Sequence, residues 1–326
     1  MGHQGGVNAS HLFVVAGFDG HAPLTSALAY GLESERWSEL PALPLALSDS
    51  GAAVIAGRLW AVGGMSNLPG CPHPDPKHPP TCNVSTVLSL DLAGGESWVE
   101  AAPMPTARRG LSLAADEARG MLYAVGGMNC KGDCYGTDIG YFAAVEAYNV
   151  SSGVWEVLPP MPTPRRDFGV ALDAGGRLWA VGGCGGRGAA AGDCPTLATV
   201  EIYDPGTGAW QVPKAAQLPE PRHGLLVATD GKAIYAVGGS AASGVFSAPP
   251  PSAAAWRLDM AEDLSEAAWQ PMPDLTTPRY GLNKGYGYVA GGKVYAIGGS
   301  VGGKGFLSFE PTASMEVLDV AALAAV

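Results

Sequence analysis

One seven-residue phrase, RLWAVGG at residues 177–183, recurs along the chain as HLFVVAG (11–17), RLWAVGG (58–64), MLYAVGG (121–127), AIYAVGG (233–239) and KVYAIGG (293–299). A unit repeated this way cannot bury its own apolar face alone and must stack on its neighbours. The chain therefore folds as an array. Strand alternation puts Leu178 and Ala180 on one face and Trp179 and Val181 on the other, so both faces are apolar and both need cover. The Gly182-Gly183 pair then ends the strand where backbone packs close or takes positive φ.

A second marker carries the same period. Each of the first five phrases is followed by a tryptophan in step with the repeat, Trp37, Trp98, Trp155, Trp210 and Trp269, at intervals of 55 to 61 residues. Between phrase and tryptophan lie runs such as TVEIYDPGTGAW (199–210), whose Asp204-Pro205-Gly206 makes a turn. Proline-rich junctions such as LPPMPTPRR (158–166) follow. Each unit reads as four short strands: one led by arginine, the phrase, a VEIYD-like strand and a tryptophan strand.

Apolar strand, double glycine, YD turn, spaced tryptophan, then MP and PR together resemble the kelch repeat, whose units are blades of a β-propeller. The resemblance runs from about residue 11 to 320. It implies an all-β, six-bladed propeller of four-stranded antiparallel blades, similar to the kelch domains of kelch-like proteins. The Trp-Asp dipeptide of another propeller class is absent. A single propeller is expected over 1–326, with blades at 1–44, 45–105, 106–162, 163–219, 220–275 and 276–326. No arginine-led strand precedes the first phrase and no tryptophan strand follows the sixth, so the terminal blades are expected to be incomplete. The ten N-terminal residues can supply at most one of these two strands.

Composition narrows the partners. The 47 glycines and 27 prolines fall at turns between apolar strands, as punctuation and not as disorder. Nineteen basic against 30 acidic residues give a net charge of −11 without a basic run beyond arginine pairs, so no nucleic-acid partner is expected. No apolar stretch reaches the ~18 residues of a membrane span. Residues 1–10 also lack the basic and apolar regions of a signal peptide.

All six cysteines sit in one equivalent loop of three consecutive blades, after the phrase: Cys71 with Cys82, Cys130 with Cys134, Cys184 with Cys194. Three readings stand. Disulfides within each loop would staple irregular excursions and imply an oxidising compartment. A metal is the rival, with His73, Asp75 and His78 beside Cys71 and Cys82, although the short paired spacings of zinc sites are missing. The third reading is reduced cysteines without a role. Sequons at Asn8, Asn83 and Asn149 are glycan acceptors in a secreted chain, while Asn149 also stands where other units have the turn aspartate. Disulfides and sequons together favour an extracellular or luminal protein over a cytoplasmic one.

In an antiparallel four-stranded meander the loop after the phrase and the link into the next blade emerge on the same face. Arg108, Arg165, Arg222 and Arg279 recur in these links and are expected to be structural, bonding carbonyls between blades. The next position varies: Arg109, Arg166, His223 and Tyr280, with Asp167 following where other units have glycine. Varied polar residues on a repeated scaffold are the ligand-face candidates, against solvated loop residues as the plain alternative.

No cofactor, metal or catalytic residue is assigned. The Glu-x3-Asp-x3-His pattern of plant specifier proteins is missing, and so is a placed galactose-oxidase-like copper set. The resemblance implies a binding module that offers this face to a protein or glycan. One alternative is a sugar-acid mutarotase-like enzyme, with Arg166 and His223 as an acid/base pair in the channel. The other is an intracellular ubiquitin-ligase adaptor lacking its BTB part.

Overall fold

The computed structural model describes residues 4–19, 21–71, 81–130, 139–186, 194–242, 250–261, 263–281, 288–302 and 312–320. The architecture is all-β. Among the described residues no helix is long and apolar enough to cross a membrane. Six antiparallel meanders follow one another, each ordered in space as in sequence, with its first strand innermost. The first comprises Gln4–Val7, His11–Val15, Ala27–Gly31 and Arg36–Glu39. The fourth comprises Gly169–Leu172, Leu178–Val181, Val200–Asp204 and Ala209–Gln211. The sixth shows Tyr288–Ala290, Lys293–Ile297 and Met315–Asp319.

The residues before the first phrase do supply an inner strand, Gln4–Val7, paired with Leu12 to Val15. Neighbouring inner strands pack side by side around an axis, and Tyr288–Ala290 lies against Gln4–Val7 to close the ring. No strand is exchanged across this seam among the described residues. Side chains hold it instead: the buried Tyr288 hydroxyl donates to the Phe13 carbonyl at 2.5 Å, within a cluster of Leu12, Tyr30, Tyr295 and Ile297. Gly5 makes room, because a Cβ there would collide with that hydroxyl.

The phrase strands are covered on both faces, as their pattern requires. Trp179 and Val181 pack with Ile234 and Ala236 of the fifth blade, whereas Leu178 and Ala180 pack with Tyr123 and Val125 of the third. The indole N–H of buried Trp179 donates to Asp173 Oδ2 at 3.1 Å, which removes the cost of an unpaired donor. The outer tryptophans staple blades together. The indoles of Trp98, Trp155, Trp210 and Trp269 donate to the carbonyls of Pro41, Ala102, Pro159 and Ala216 in the preceding junctions, at 2.8 to 2.9 Å. Trp37, on the blade that meets the closing one, is 43% exposed.

The double glycines are where blades meet. The N–H of Gly64, Gly127, Gly183 and Gly239 donates to the carbonyl of Arg108, Arg165, Arg222 and Arg279 in the next link, at 2.7 to 2.9 Å. Gly127 has φ +104°, and a Cβ on it would sit 2.8 Å from the Arg109 carbonyl oxygen. Gly127→Ala therefore meets both a conformational penalty and a clash with rigid backbone. Gly57, at φ +67° in an open turn, would meet only the first. Gly57→Ala is expected to cost ~1 kcal/mol, and Gly127→Ala at least ~3 kcal/mol, by denaturant unfolding. Equal losses would show that the close approach is unimportant.

Asp173 gives the fold an acid limit. Burial raises its pKa, but bonds from the Trp179 indole and from the Arg177 N–H and guanidinium outweigh burial and hold it below the usual carboxylate range. A depressed carboxyl contributes stability that is present above its unfolded pKa and lost as pH falls through its lower folded value. Asp173→Asn should therefore flatten the loss of stability between about pH 5 and pH 2. Parallel wild-type and variant curves of unfolding midpoint against pH would refute this.

Candidate functional site

Two adjacent link positions divide structure from candidate function. Arg108 is fully buried and donates to the carbonyls of Thr106, Ala124 and Gly126 at 2.8 to 3.0 Å, with an ion pair to Glu146 at 2.5 Å. Arg165 bonds the Gly182 and Thr199 carbonyls and pairs with Glu201 at 2.9 Å. Arg279 reaches the Gly298 carbonyl and pairs with Glu316. In the fifth blade Trp256 replaces that glutamate, and Arg222 lies 4.4 Å over its ring. Burial lowers the pKa of Arg108 and Arg165, and the paired carboxylates oppose it.

The expectation that these guanidinium groups bond between blades is corrected here. Their bonds stay within their own blade, because the side chain turns under the glycine pair towards the ends of its own second and third strands. It is the arginine backbone carbonyl that spans blades. The glutamate partners were missed from the sequence, although the repeated Val-Glu that opens the third strand was a usable signal.

The next position forms a ladder on the loop face. Ser48, Arg109, Arg166, His223 and Tyr280 pair with the residue after each double glycine, namely Met65, Met128, Cys184, Ser240 and Ser300. One residue further on, Asp49, Gly110, Asp167, Gly224 and Gly281 all have positive φ, between +52° and +62°. The Gly110 N–H donates to the Asp49 carbonyl and the Gly224 N–H to the Asp167 carbonyl, both at 2.8 Å. These residues line the axis at equivalent places. Aspartate tolerates this conformation better than most residues but is strained relative to glycine, which makes Asp49 and Asp167 unusual. Asp49 was missed because its link, LALSDS, lacks the arginine that marks the others.

The sequence candidates converge in part. Arg166 pairs with Asp167 at 2.9 Å. Burial works against the Arg166 charge, yet Asp167, Tyr141 and Asp49 together raise its pKa. Tyr280 is pushed up to about 12, mainly by burial and further by Asp167, so its phenol stays protonated at neutral pH. A ring nitrogen of His223, a carboxylate oxygen of Asp167 and the sulfur of Cys184 lie within 4.8 Å of one another. Arg109 points elsewhere, with Nη1 2.7 Å from the Met65 sulfur.

The loops around this face carry the cysteines. Cys71 and Cys82 are bonded as a disulfide with Cα atoms 5.3 Å apart, and Cys184 and Cys194 likewise at 5.1 Å. Cys134, and so the Cys130–Cys134 pairing, lies outside the described residues, as do His73, Asp75 and His78. Asn83 is half-buried and its Nδ2 donates to Asn129 Oδ1 at 2.5 Å. Asn149 Oδ1 accepts from the Ser151 and Ser152 N–H groups at 3.0 and 2.9 Å. It thus does the turn-forming work of Asp204, which accepts from Gly206 at 2.7 Å.

The opposite end of the axis differs. A cleft of ≈ 250 Å³ there is lined by Val7, Val54, Ala115, Leu172 and their neighbours, with Thr229 the polar side chain among its described residues. Polar chemistry is gathered at the loop face.

Six blades around an axis, with a varied polar ring at one end, define a β-propeller with a built loop face. The Kelch motif profile matches residues 164–213, which run from the Arg165 link past Trp210. Kelch domain-containing protein 8B of Mus musculus is 34% identical over 168 residues, 50% of this chain and 43% of that protein. Kelch-like protein 35 of Mus musculus is 27% identical over 215 residues, covering 66% and 31%. Kelch repeat and BTB domain-containing protein 12 of Homo sapiens is 26% identical over 189 residues, covering 56% and 28%. The matches thus span less than half of each relative's length. The chain is a kelch-repeat β-propeller.

The two link positions should separate experimentally. Arg108→Met leaves Glu146 buried without its partner and is expected to cost ~3–5 kcal/mol. Arg109→Ala, one residue on, should cost about 1 kcal/mol or less. Denaturant midpoints compare them, and a reversed order would refute the division.

Proposed function

We propose that this chain is a protein-interaction module whose working surface is the loop face, with Arg109, Arg166, Asp167, His223 and Tyr280 near its centre. One observation carries the reading. The ladder position after each structural arginine holds Arg109, Arg166, His223 and Tyr280, three kinds of polar side chain in four blades, while its backbone pairing is repeated. A scaffold that repeats its backbone and varies its side chains at one end suits recognition. A relative whose name joins kelch repeats to a BTB domain supports a protein partner, and an adaptor role fits the same face. The disulfides at Cys71–Cys82 and Cys184–Cys194 support an oxidising, extracellular or luminal setting, where a glycan partner would also be met. The mutarotase-like alternative draws less support, since Arg166 is engaged by Asp167 and the far channel end is lined mainly by apolar side chains.

The test compares faces. Arg109→Ala/His223→Ala on the loop face and Lys232→Glu in an exposed turn on the opposite face are each used for crosslinking capture from the native host, beside wild type. Partners captured by wild type should be retained by Lys232→Glu and reduced at least tenfold by the loop-face variant. Equal capture by all three would refute the assignment of the face.

A further inference from the structure

Beside the axis, where the fourth and fifth blades meet, Cys184, Asp167 and His223 form a close group. Their sulfur, carboxylate oxygen and ring nitrogen are mutually within 4.8 Å, and Cys184 and Asp167 are 1% and 8% exposed. The disulfide partner Cys194 is 3% exposed, with its Cα 5.1 Å from that of Cys184. In a thiol–imidazole–carboxylate relay the imidazole stands between the other two groups. Here each donor is close to both others, which is the arrangement of ligands around a shared centre.

Three further features fit a cation at that centre. His223 Nε2 lies 3.1 Å from the Ala242 carbonyl oxygen, a bond that places the proton on Nε2 and the lone pair on Nδ1. Arg166 Nη1 holds Asp167 Oδ2 at 2.9 Å and orients the carboxylate. The charges also balance: two thiolates and a carboxylate are offset by a dication and the Arg166 guanidinium, so a buried site would carry no net charge. Among the described residues this is the one such group.

We propose that reduction of the Cys184–Cys194 disulfide creates a zinc site whose ligands are Cys184, Cys194, Asp167 and His223. A phosphine supplies two electrons and leaves as its oxide, and water gives that oxide its oxygen and the two sulfurs their protons as the S–S bond breaks. Zinc then displaces the two thiol protons and takes four ligands in a tetrahedral set. The two sulfurs separate to roughly 3.7 Å, the edge of a tetrahedron with Zn–S of ~2.3 Å, while the carboxylate and imidazole close in to ~2.0–2.2 Å from the metal. The oxidised protein holds the site closed, because a disulfide sulfur is not a thiolate ligand. This inference does not rest on the protein-binding reading.

The test uses the full chain, reduced with a phosphine that does not itself compete as a thiol, and Zn²⁺ as the probe. Alkylation of each cysteine is followed by peptide mass spectrometry with and without zinc. Zinc should slow alkylation of Cys184 and Cys194 at least tenfold in wild type. That protection should be lost in His223→Gln, weakened in Asp167→Asn and retained in His223→Cys, which restores a ligand without restoring the imidazole. Competition with a chromophoric chelator should show zinc bound at this pair after reduction and none there before. The proposal is overturned if zinc leaves these two cysteines unprotected, including through general unfolding on reduction, or if protection survives His223→Gln and Asp167→Asn alike.

Discussion

The fold depends on one hydrogen bond made four times among the described blades, from the second glycine of a phrase to the carbonyl of the arginine in the next link. It brings two backbones so close that no side chain fits between them, which is why the phrase ends in glycine and not in a further strand residue. The same arginine turns its guanidinium inward to satisfy carbonyls that the glycine turn leaves without strand partners, with a glutamate in three blades, buried in two of them, and an aromatic ring in the fifth. One residue therefore closes its own blade through its side chain and joins the preceding blade through its backbone. The indole staples repeat this logic at the outer rim, and the tyrosine seam replaces both where the ring closes.

The loop face is a by-product of that junction. Once the arginine is buried, the next residue must emerge beside the axis, and the one after it must turn with positive φ. Its side chain is then under little structural demand, so serine, arginine, histidine and tyrosine all occur there. Where aspartate replaces glycine, at Asp49 and Asp167, a carboxylate is carried into the ring; Asp167 pairs with the partly buried Arg166, and the charges of both carboxylates raise its pKa. The group of Cys184, Asp167 and His223 arises in the same way. Two successive links and one post-phrase loop are brought together by the ring geometry, although nothing in their sequence spacing marks them as partners.

Much of the architecture could be read directly from residues. The alternation in RLWAVGG announced a strand buried on both faces, and its two faces pack against the third and fifth blades. The turn role of Asn149 was legible from its place in the YD pattern. The position of the ligand-face candidates followed from the parity of strand reversals, since the second and fourth reversals of a blade must emerge on the same side. The inner strand of the first blade was harder to see, because QGGV carries no apolar pattern and is held by pairing and by Tyr288 rather than by its own burial.

What the sequence by itself determined is the period, the strand content, the glycine turns and the loops that hold the cysteines, because each of these is a local demand of backbone conformation and alternating burial. What only the tertiary structure decided is which side chains meet. The Arg108–Glu146 pair, the influence of Asp49 on Arg166 and the Cys184–Asp167–His223 group all join different strands, loops or links. Such contacts depend on the distance between elements, and that distance is set by the closed ring and not by spacing along the chain.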